Sequence, residues 1–268
     1  MKALLICAAL LVSSPLYAAQ LLIDLGSGGH TWQTDELLQH PEARDITLNN
    51  DVSYKRDMRY RAVPIASLLK GLQPQDHLQA VALDGFAAEL SAAPLLNRQG
   101  AQAWLAIEDP AKPWPALATG KPSAGPFYLV WSNPEAGHIS PEQWPFQVAR
   151  LQRLAPVAQR FPALNPDPKL AANDPVNQGF ALFQKNCLAC HRLNGAGDSQ
   201  LGPDLNSPYS PTEYFGDDFL KRYIRDPQSL RRWPQAKMPG FNSNVLPDAE
   251  LELLLGYLRH MAGRKQFP

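Results

Sequence analysis

The chain is poor in cysteine, with three in 268 residues, at positions 7, 187 and 190. No thiol lies between Cys7 and Cys187, so thiolate chemistry is excluded from the first two thirds of the sequence. Net charge is also lacking: 25 basic residues balance 25 acidic ones. No global field therefore draws the chain to nucleic acid or to an anionic membrane, and neither is expected as a partner. Long hydrophobic runs are missing as well. The apolar stretch at residues 3–12 falls short of the ~20 residues that a membrane span needs, and nothing later is longer. There is no internal repeat and no low-complexity tract. The glycine-rich stretch at residues 26–30 lacks the lysine and the spacing of a phosphate loop and reads as a mobile surface turn. His30, His40, His77 and His138 have no ligand spacing and read as surface or loop histidines. Asp84 and Glu89 do not read as a catalytic carboxylate pair.

What is present begins with a processing segment at residues 1–19. Lys2 gives a positive start, the apolar run follows, Pro15 breaks it, and Ala18 and Ala19 offer a cleavage site. The expectation is export to the periplasm with the leader removed. Cys7 would leave with it, so only Cys187 and Cys190 would remain, and no disulfide framework is expected even in an oxidising compartment. Stability would then rest on packed cores, and about 250 mature residues suffice for two of modest size. Proline is abundant, at 26 residues, about twice the usual ~5%.

The most informative stretch is Cys187-Leu188-Ala189-Cys190-His191. Cys-x-x-Cys-His is the attachment pattern of c-type haem. Two thiols three positions apart reach the two vinyl groups of one porphyrin, and the histidine that follows supplies an axial nitrogen. A redox disulfide and half a zinc site share the Cys-x-x-Cys core. The trailing His191 and the lack of a second cysteine pair weigh against both. One covalent haem c is expected.

Residues 20–154 carry short apolar segments bounded by Gly, Pro or Asn. Strands are expected at residues 21–25, 46–48, 78–83, 86–90, 103–107 and 127–131, with short helices at 34–39 and 65–70. Thr34 is expected to cap the first helix and Gly71 to end the second. Many short strands with few helices read as an α+β domain. The basic residues Lys55, Arg56, Arg59 and Arg61, with Asp51 and Asp57 interleaved, read as a solvated, self-paired face. The segment at residues 60–69, Tyr-Arg-Ala-Val-Pro-Ile-Ala-Ser-Leu-Leu, is followed by Val-Ala-Leu-Asp-Gly-Phe at 81–86. Together they resemble the molybdopterin-binding domain of sulfite oxidase-like oxidoreductases. Trp-Pro-Phe-Gln-Val at 144–148 is similar to the strand that closes that domain. In that family a cysteine thiolate binds molybdenum. This domain has no cysteine, so the resemblance implies the fold without its metal: a docking module in which no molybdenum cofactor is expected.

Prolines 156, 162, 166, 168 and 175 discourage regular structure, and residues 155–174 read as a semi-stiff linker that lies across one domain. Asp174-Pro175 opens a helix that carries Gly179, Phe180 and Phe183 toward Cys187. With Cys-x-x-Cys-His, the G-x-x-x-F-x-x-x-C spacing resembles the class I cytochrome c family, and residues 175–265 are expected to form its all-α fold. The resemblance implies that the carbonyl of Pro203 accepts a hydrogen bond from His191, and that His191 and Met238 are the axial ligands of the haem iron. Cys187 and Cys190 would hold the haem covalently. Met261 and His260 are the rivals for the sixth position. A helix at 219–225 is expected to stop at Pro227, and residues 248–262 form the closing helix, with Leu251, Leu254, Leu255 and Leu258 on one stripe. Tyr257 would cross the first helix at Gly179. Six basic residues between 221 and 237, opposed by Asp226 alone, would steer an acidic redox partner or else form a solvated face.

The expected function is single-electron transfer by a periplasmic monohaem cytochrome, from a dehydrogenase donor to a cytochrome or oxidase acceptor. The front domain would serve for docking, and no catalytic residue is assigned. The alternatives are a haem-containing subunit or enzyme of sulfite dehydrogenase type and a haem-based redox or gas sensor.

Overall fold

The computed structural model describes residues 19–26, 28–233 and 235–266. The leader expected at residues 1–19 lies outside them except for Ala19. Two regions follow one another, one rich in strands and one helical. The first has nine strands: β1 (Gln20–Asp24), β2 (Gly29–Gln33), β3 (Arg44–Leu48), β4 (Met58–Pro64), β5 (His77–Ala82), β6 (Ala87–Ser91), β7 (Gln102–Ile107), β8 (Phe127–Ser132) and β9 (Val148–Leu154). They form a five-stranded sheet in the order β2-β1-β9-β5-β6 and a four-stranded sheet in the order β3-β4-β7-β8. All pairings are antiparallel except β1 with β9. Single-turn helices α1 (Thr34–Leu38), α2 (Ile65–Leu68) and α3 (Ala92–Leu95) cover strand ends.

Alternation builds this core. In β4, Met58, Tyr60 and Ala62 are buried while Arg59 and Arg61 face solvent. Leu21, Ile23, Leu78 and Leu151 of one sheet share a hydrophobic cluster with Leu48, Tyr60, Leu105 and Leu129 of the other. β8 ends its sheet, yet five of its six residues are buried. The segment after it runs back along that edge: Leu129 donates its N–H to the Pro145 carbonyl at 3.0 Å. Covering an edge in this way blocks unwanted pairing. It also delivers a short 3₁₀ turn, Pro141–Gln143, to the rim of the domain.

Several local expectations are corrected. Residues 29 and 30 belong to β2 rather than to a mobile turn; the bend precedes them at Gly26, φ +89°, where the Asp24 carboxylate accepts the Gly26 N–H. Gln33, not Thr34, caps α1, and the Thr34 hydroxyl instead donates to the Ala19 carbonyl at 3.1 Å. β9 begins where residues 144–148 end, because that segment is the edge cover of β8. Asp51 is fully buried rather than on a solvated face. Arg59 and Arg61 pair with Asp45, the cross-strand neighbour that the β3–β4 register supplies.

The helical region holds α4 (Val157–Arg160), α5 (Pro175–Asn186), α6 (Pro211–Tyr214), α7 (Asp217–Arg225), α8 (Pro227–Leu230) and α9 (Asp248–Ala262). The proline-rich segment is less irregular than its composition implies. Pro156 caps α4 and Pro162 opens a 3₁₀ turn, positions where a missing N–H costs nothing. Val157 and Leu164 are fully buried in the helical core, so this segment packs as part of that region. α7 ends at Arg225, just before Pro227 as expected, and Pro227 then starts α8, with the Asp226 carboxylate accepting the Gln228 N–H.

Candidate functional site

The centre is the turn that α5 feeds. The Asp174 carboxylate accepts the Val176 N–H at 2.9 Å, and Pro175 takes the first helical position. The helix ends at Cys187, whose N–H donates to the Phe183 carbonyl at 2.9 Å. The chain stays coiled one turn further, as the His191 N–H reaches the Cys187 carbonyl at 2.9 Å. Both thiols are thus presented from one turn. They are unpaired and half-buried. Burial pushes both up, with the Glu142 carboxylate adding to the rise, and Cys190 reaches about 12.

α5 is anchored by α9. Phe180 and Phe183 lie against Tyr257, with ring centroids 5.4 and 5.3 Å apart. The Tyr257 hydroxyl donates to the Leu164 carbonyl at 2.7 Å, which ties the proline-rich segment to the crossing. At Gly179 a Cβ would stand 2.1 Å from the Leu253 carbonyl oxygen and 2.7 Å from Tyr257 Cβ, so only glycine lets the backbones approach this far. The Leu251, Leu254, Leu255 and Leu258 stripe is buried as the spacing predicts.

The loop after the Cys-x-x-Cys-His turn folds back beneath it. Gly202 donates its N–H to the Cys190 carbonyl and Leu205 to the Arg192 carbonyl, both at 2.8 Å. The imidazole Nδ1 of His191 donates to the Pro203 carbonyl at 2.8 Å. This bond turns Nε2 away from the loop. Gly202 makes room for the ring, since a Cβ there would lie 2.4 Å from His191 Cε1. Asp204 organises the turn: its carboxylate accepts the N–H groups of Gly195, Asn206 and Ser207 at 2.6, 2.8 and 2.8 Å. Burial lowers the pKa of His191, partly offset by the Pro203 bond and the Asp204 charge.

Met238 is half-buried and packs at the border of the helical core. The rival positions are otherwise occupied. Met261 is buried within α9 packing, and its carbonyl accepts from Asn206 Nδ2 at 2.7 Å. His260 Nε2 accepts the Asp167 N–H at 3.1 Å. Two free thiols presented from one turn and an imidazole nitrogen turned off the loop fit a covalently tethered haem, and the Met238 thioether packs on the same helical core.

Sequence reasoning missed how the strand-rich region meets this turn. Edge strand β6 lies against it, with the Ala87 N–H 3.5 Å from the Ala189 carbonyl. Arg160 bridges the two regions, donating to Glu89 at 2.6 Å and to Asp198 at 2.8 Å. Glu89, itself buried, also accepts from Gln79 at 2.8 Å and contacts His77, so His77 is not the isolated surface residue its spacing implied. Gln79 reaches Asp198 at 2.6 Å, and Lys185 donates to the His138 carbonyl at 2.7 Å. Only the alternation of β5 and β6 hinted that Gln79 and Glu89 face one another.

The basic run is partly neutralised. Lys221 pairs with Glu252, and Arg225 with Asp248 at 2.6 Å while also donating to the Phe241 carbonyl at 2.8 Å. These acids lie on α9, too far along the chain to be read as partners. Arg231 and Arg232 stay exposed, Arg231 over the Trp233 ring at 5.4 Å.

In the strand-rich region a fully buried polar centre forms at Asp51. It accepts from the Tyr60 hydroxyl, the Ser53 N–H and the Tyr54 N–H, each at 2.9 Å. Burial and this carboxylate hold the Tyr60 and Tyr128 phenols far above their ordinary range. Its lone pairs are spent on these donors, which makes Asp51 a structural strut. No group of three or more His, Cys, Asp or Glu side chains arranged to hold a metal ion occurs among the described residues.

No helix among the described residues is long and apolar enough to cross a membrane. No curated protein matches the chain. Residues 176–262, from the start of α5 to the end of α9, match the family model for cytochrome c, so the helical region is a match to a cytochrome c domain, with the covalent haem and electron transfer that this family implies.

Proposed function

We propose that the chain is an exported monohaem c-type cytochrome that passes single electrons between a periplasmic dehydrogenase and a downstream cytochrome or oxidase. Cys187 and Cys190 would tether the haem, His191 and Met238 would hold its iron, and the group would supply one-electron exchange when bound. The observation that carries the reading is the His191–Pro203 bond of 2.8 Å. It fixes the tautomer, orients the ring and makes the free Nε2 the better donor. Gly202 and Asp204 hold the carbonyl where the ring needs it. Met238 lies at the core border, while His260 and Met261 are committed elsewhere. A sulfur ligand favours the reduced iron and raises the potential. The strand-rich region, read as a molybdopterin-domain-like module without the metal-binding thiolate, serves as a fixed cover for the attachment turn and a docking element. A sulfite dehydrogenase-type enzyme would need molybdenum in that module, and a gas sensor would need an easily displaced sixth ligand.

The test is direct. Purified protein should retain its pigment through acidified organic solvent and show the red-edge absorption of methionine sulfur on ferric haem. Met238→Ala should abolish that band and let carbon monoxide bind the reduced protein. A pigment that washes out, or a band unchanged in Met238→Ala, would overturn the assignment.

A further inference from the structure

We infer that Glu142, delivered by the strand-rich region, is a proton-holding group coupled to the oxidation state of the haem anchored at Cys187 and Cys190; this rests on the haem reading above. Glu142 sits on the 3₁₀ turn that packs against both β6 and α5. The turn is rigid: the Ser140 N–H donates to Gln143 Oε1 at 3.0 Å, and the Trp131 indole N–H donates to the Gln143 carbonyl at 2.8 Å. The side chain is only 7% exposed. Among the described residues no hydrogen bond and no neighbouring charge offsets that burial, which pushes the carboxyl up to about 7. The Arg160 latch, through Glu89 and Asp198, keeps the two regions in register, so the carboxyl cannot drift from the turn.

The surroundings leave Glu142 as the free acid at this contact. On β6 the charged residue is Glu89, already spent on Arg160, Gln79 and His77. On α5 it is Lys185, whose ammonium points at the His138 carbonyl. The β8 strand beneath the turn offers the Tyr128 phenol, which faces Asp51 and Ser53. Asp84 and Lys237 also act on Cys190, with opposite sign. The Glu142 charge, by contrast, is felt at both haem-bearing sulfurs.

Electrostatics fixes the sign. The oxidised haem carries one more positive charge than the reduced one, so reduction makes the nearby carboxylate more basic. One electron arrives from the redox partner, one proton passes from solvent to the Glu142 carboxylate, and oxidation releases both. Raising pH through the titration of Glu142 therefore lowers the reduction potential. On the helical side Asp198 is held by Arg160 and Gln79, and Glu250 acts on Lys185, so the strand-rich region supplies the acid that acts on the two sulfurs.

The experiment is a potentiometric titration of the full-length, haem-loaded protein from about pH 5 to about pH 9, bracketing the Glu142 value. Wild type and Glu142→Gln, which keeps shape and removes the charge, are compared. The wild-type potential should fall as pH rises through the window. At the alkaline end it should lie below that of E142Q by up to a tenfold change in the reduced-to-oxidised ratio, about 59 mV for one electron. E142Q should hold the higher, acid-side value throughout. Redox-difference infrared spectra should show a protonated-carboxyl band that grows on reduction in wild type and is missing in E142Q. A flat wild-type potential, or an unchanged slope in E142Q, overturns the coupling alone. Absence of covalent haem overturns both this inference and the function it rests on.

Discussion

Replacing Gly179 with alanine should loosen the crossing that presents the Cys-x-x-Cys-His turn. The added methyl would stand 2.1 Å from the Leu253 carbonyl oxygen and 2.7 Å from Tyr257 Cβ. Both obstacles belong to α9, whose backbone cannot yield locally because Leu254, Leu255 and Leu258 are locked in the core. Overpacking of this kind costs about 1–3 kcal/mol, and a backbone obstacle places it at the upper end. Alanine regains about 1 kcal/mol of helix propensity over glycine. The net loss is then about 2 kcal/mol. For a domain this small, that is a drop in melting temperature of about 8–16 °C. Thermal unfolding followed at the haem absorption band reads this region directly. Gly256 supplies an internal control: it lies mid-helix in α9, and a Cβ there meets nothing within 4 Å. Gly256→Ala should therefore stabilise by about 0.5–1 kcal/mol. The same substitution in the same helix pair should move stability in opposite directions. A Gly179→Ala protein melting at or above wild type would refute the close-approach argument.

Removing the Arg160 latch with Arg160→Ala leaves the buried Glu89 carboxylate without its cation. The cost should be about 3 kcal/mol, and the strand-rich and helical regions should then unfold in separate steps by denaturant titration. Glu142 gives a pH signature in stability as well as in potential. Its folded value, about 7, lies above the ordinary 4.5, so the folded state holds the proton more tightly than the unfolded chain does. That contribution is complete below the unfolded value and lost as pH rises through the folded one. Denaturation of holo-protein should show Glu142→Gln gaining up to about 3 kcal/mol on wild type between about pH 4.5 and pH 8. Charge reversal at Arg231 and Arg232, the exposed part of the basic run, should slow electron exchange with an acidic partner severalfold at low salt, with the difference vanishing at high ionic strength. Equal rates at low salt would remove that steering role.

The readable parts of the fold were those with strong local signals. The α9 stripe, the Asp174-Pro175 helix start and the buried strands β7 and β8 all follow from periodicity and from caps. Turns governed by distant partners were not readable. Thr34 looked like a helix cap, but its hydroxyl is claimed by Ala19 across the start of β1. Residues 144–148 looked like a strand, but 144–147 serve as the cover on the edge of β8 and only Val148 begins β9. Prolines 156 and 162 looked like breakers; instead Pro156 caps α4 and Pro162 opens a short turn, where their missing N–H groups are not needed.

For the site, the Cys-x-x-Cys-His spacing nominated Cys187, Cys190 and His191, because covalent spacing is a property of sequence, while the resemblance to class I cytochrome c implied Pro203 and Met238. The neighbours of that site were decided by tertiary structure alone. Burial cannot be read from one position: Glu142 lies in a Ser-x-x-Gln capping pattern that marks a turn but not what the turn faces. The Arg160–Glu89–Asp198 bridge joins residues far apart in sequence, and Lys221 and Arg225 find their acids on α9. A short-range motif carries its chemistry in its own spacing. The dielectric and charge around it come from whichever surfaces folding brings into contact.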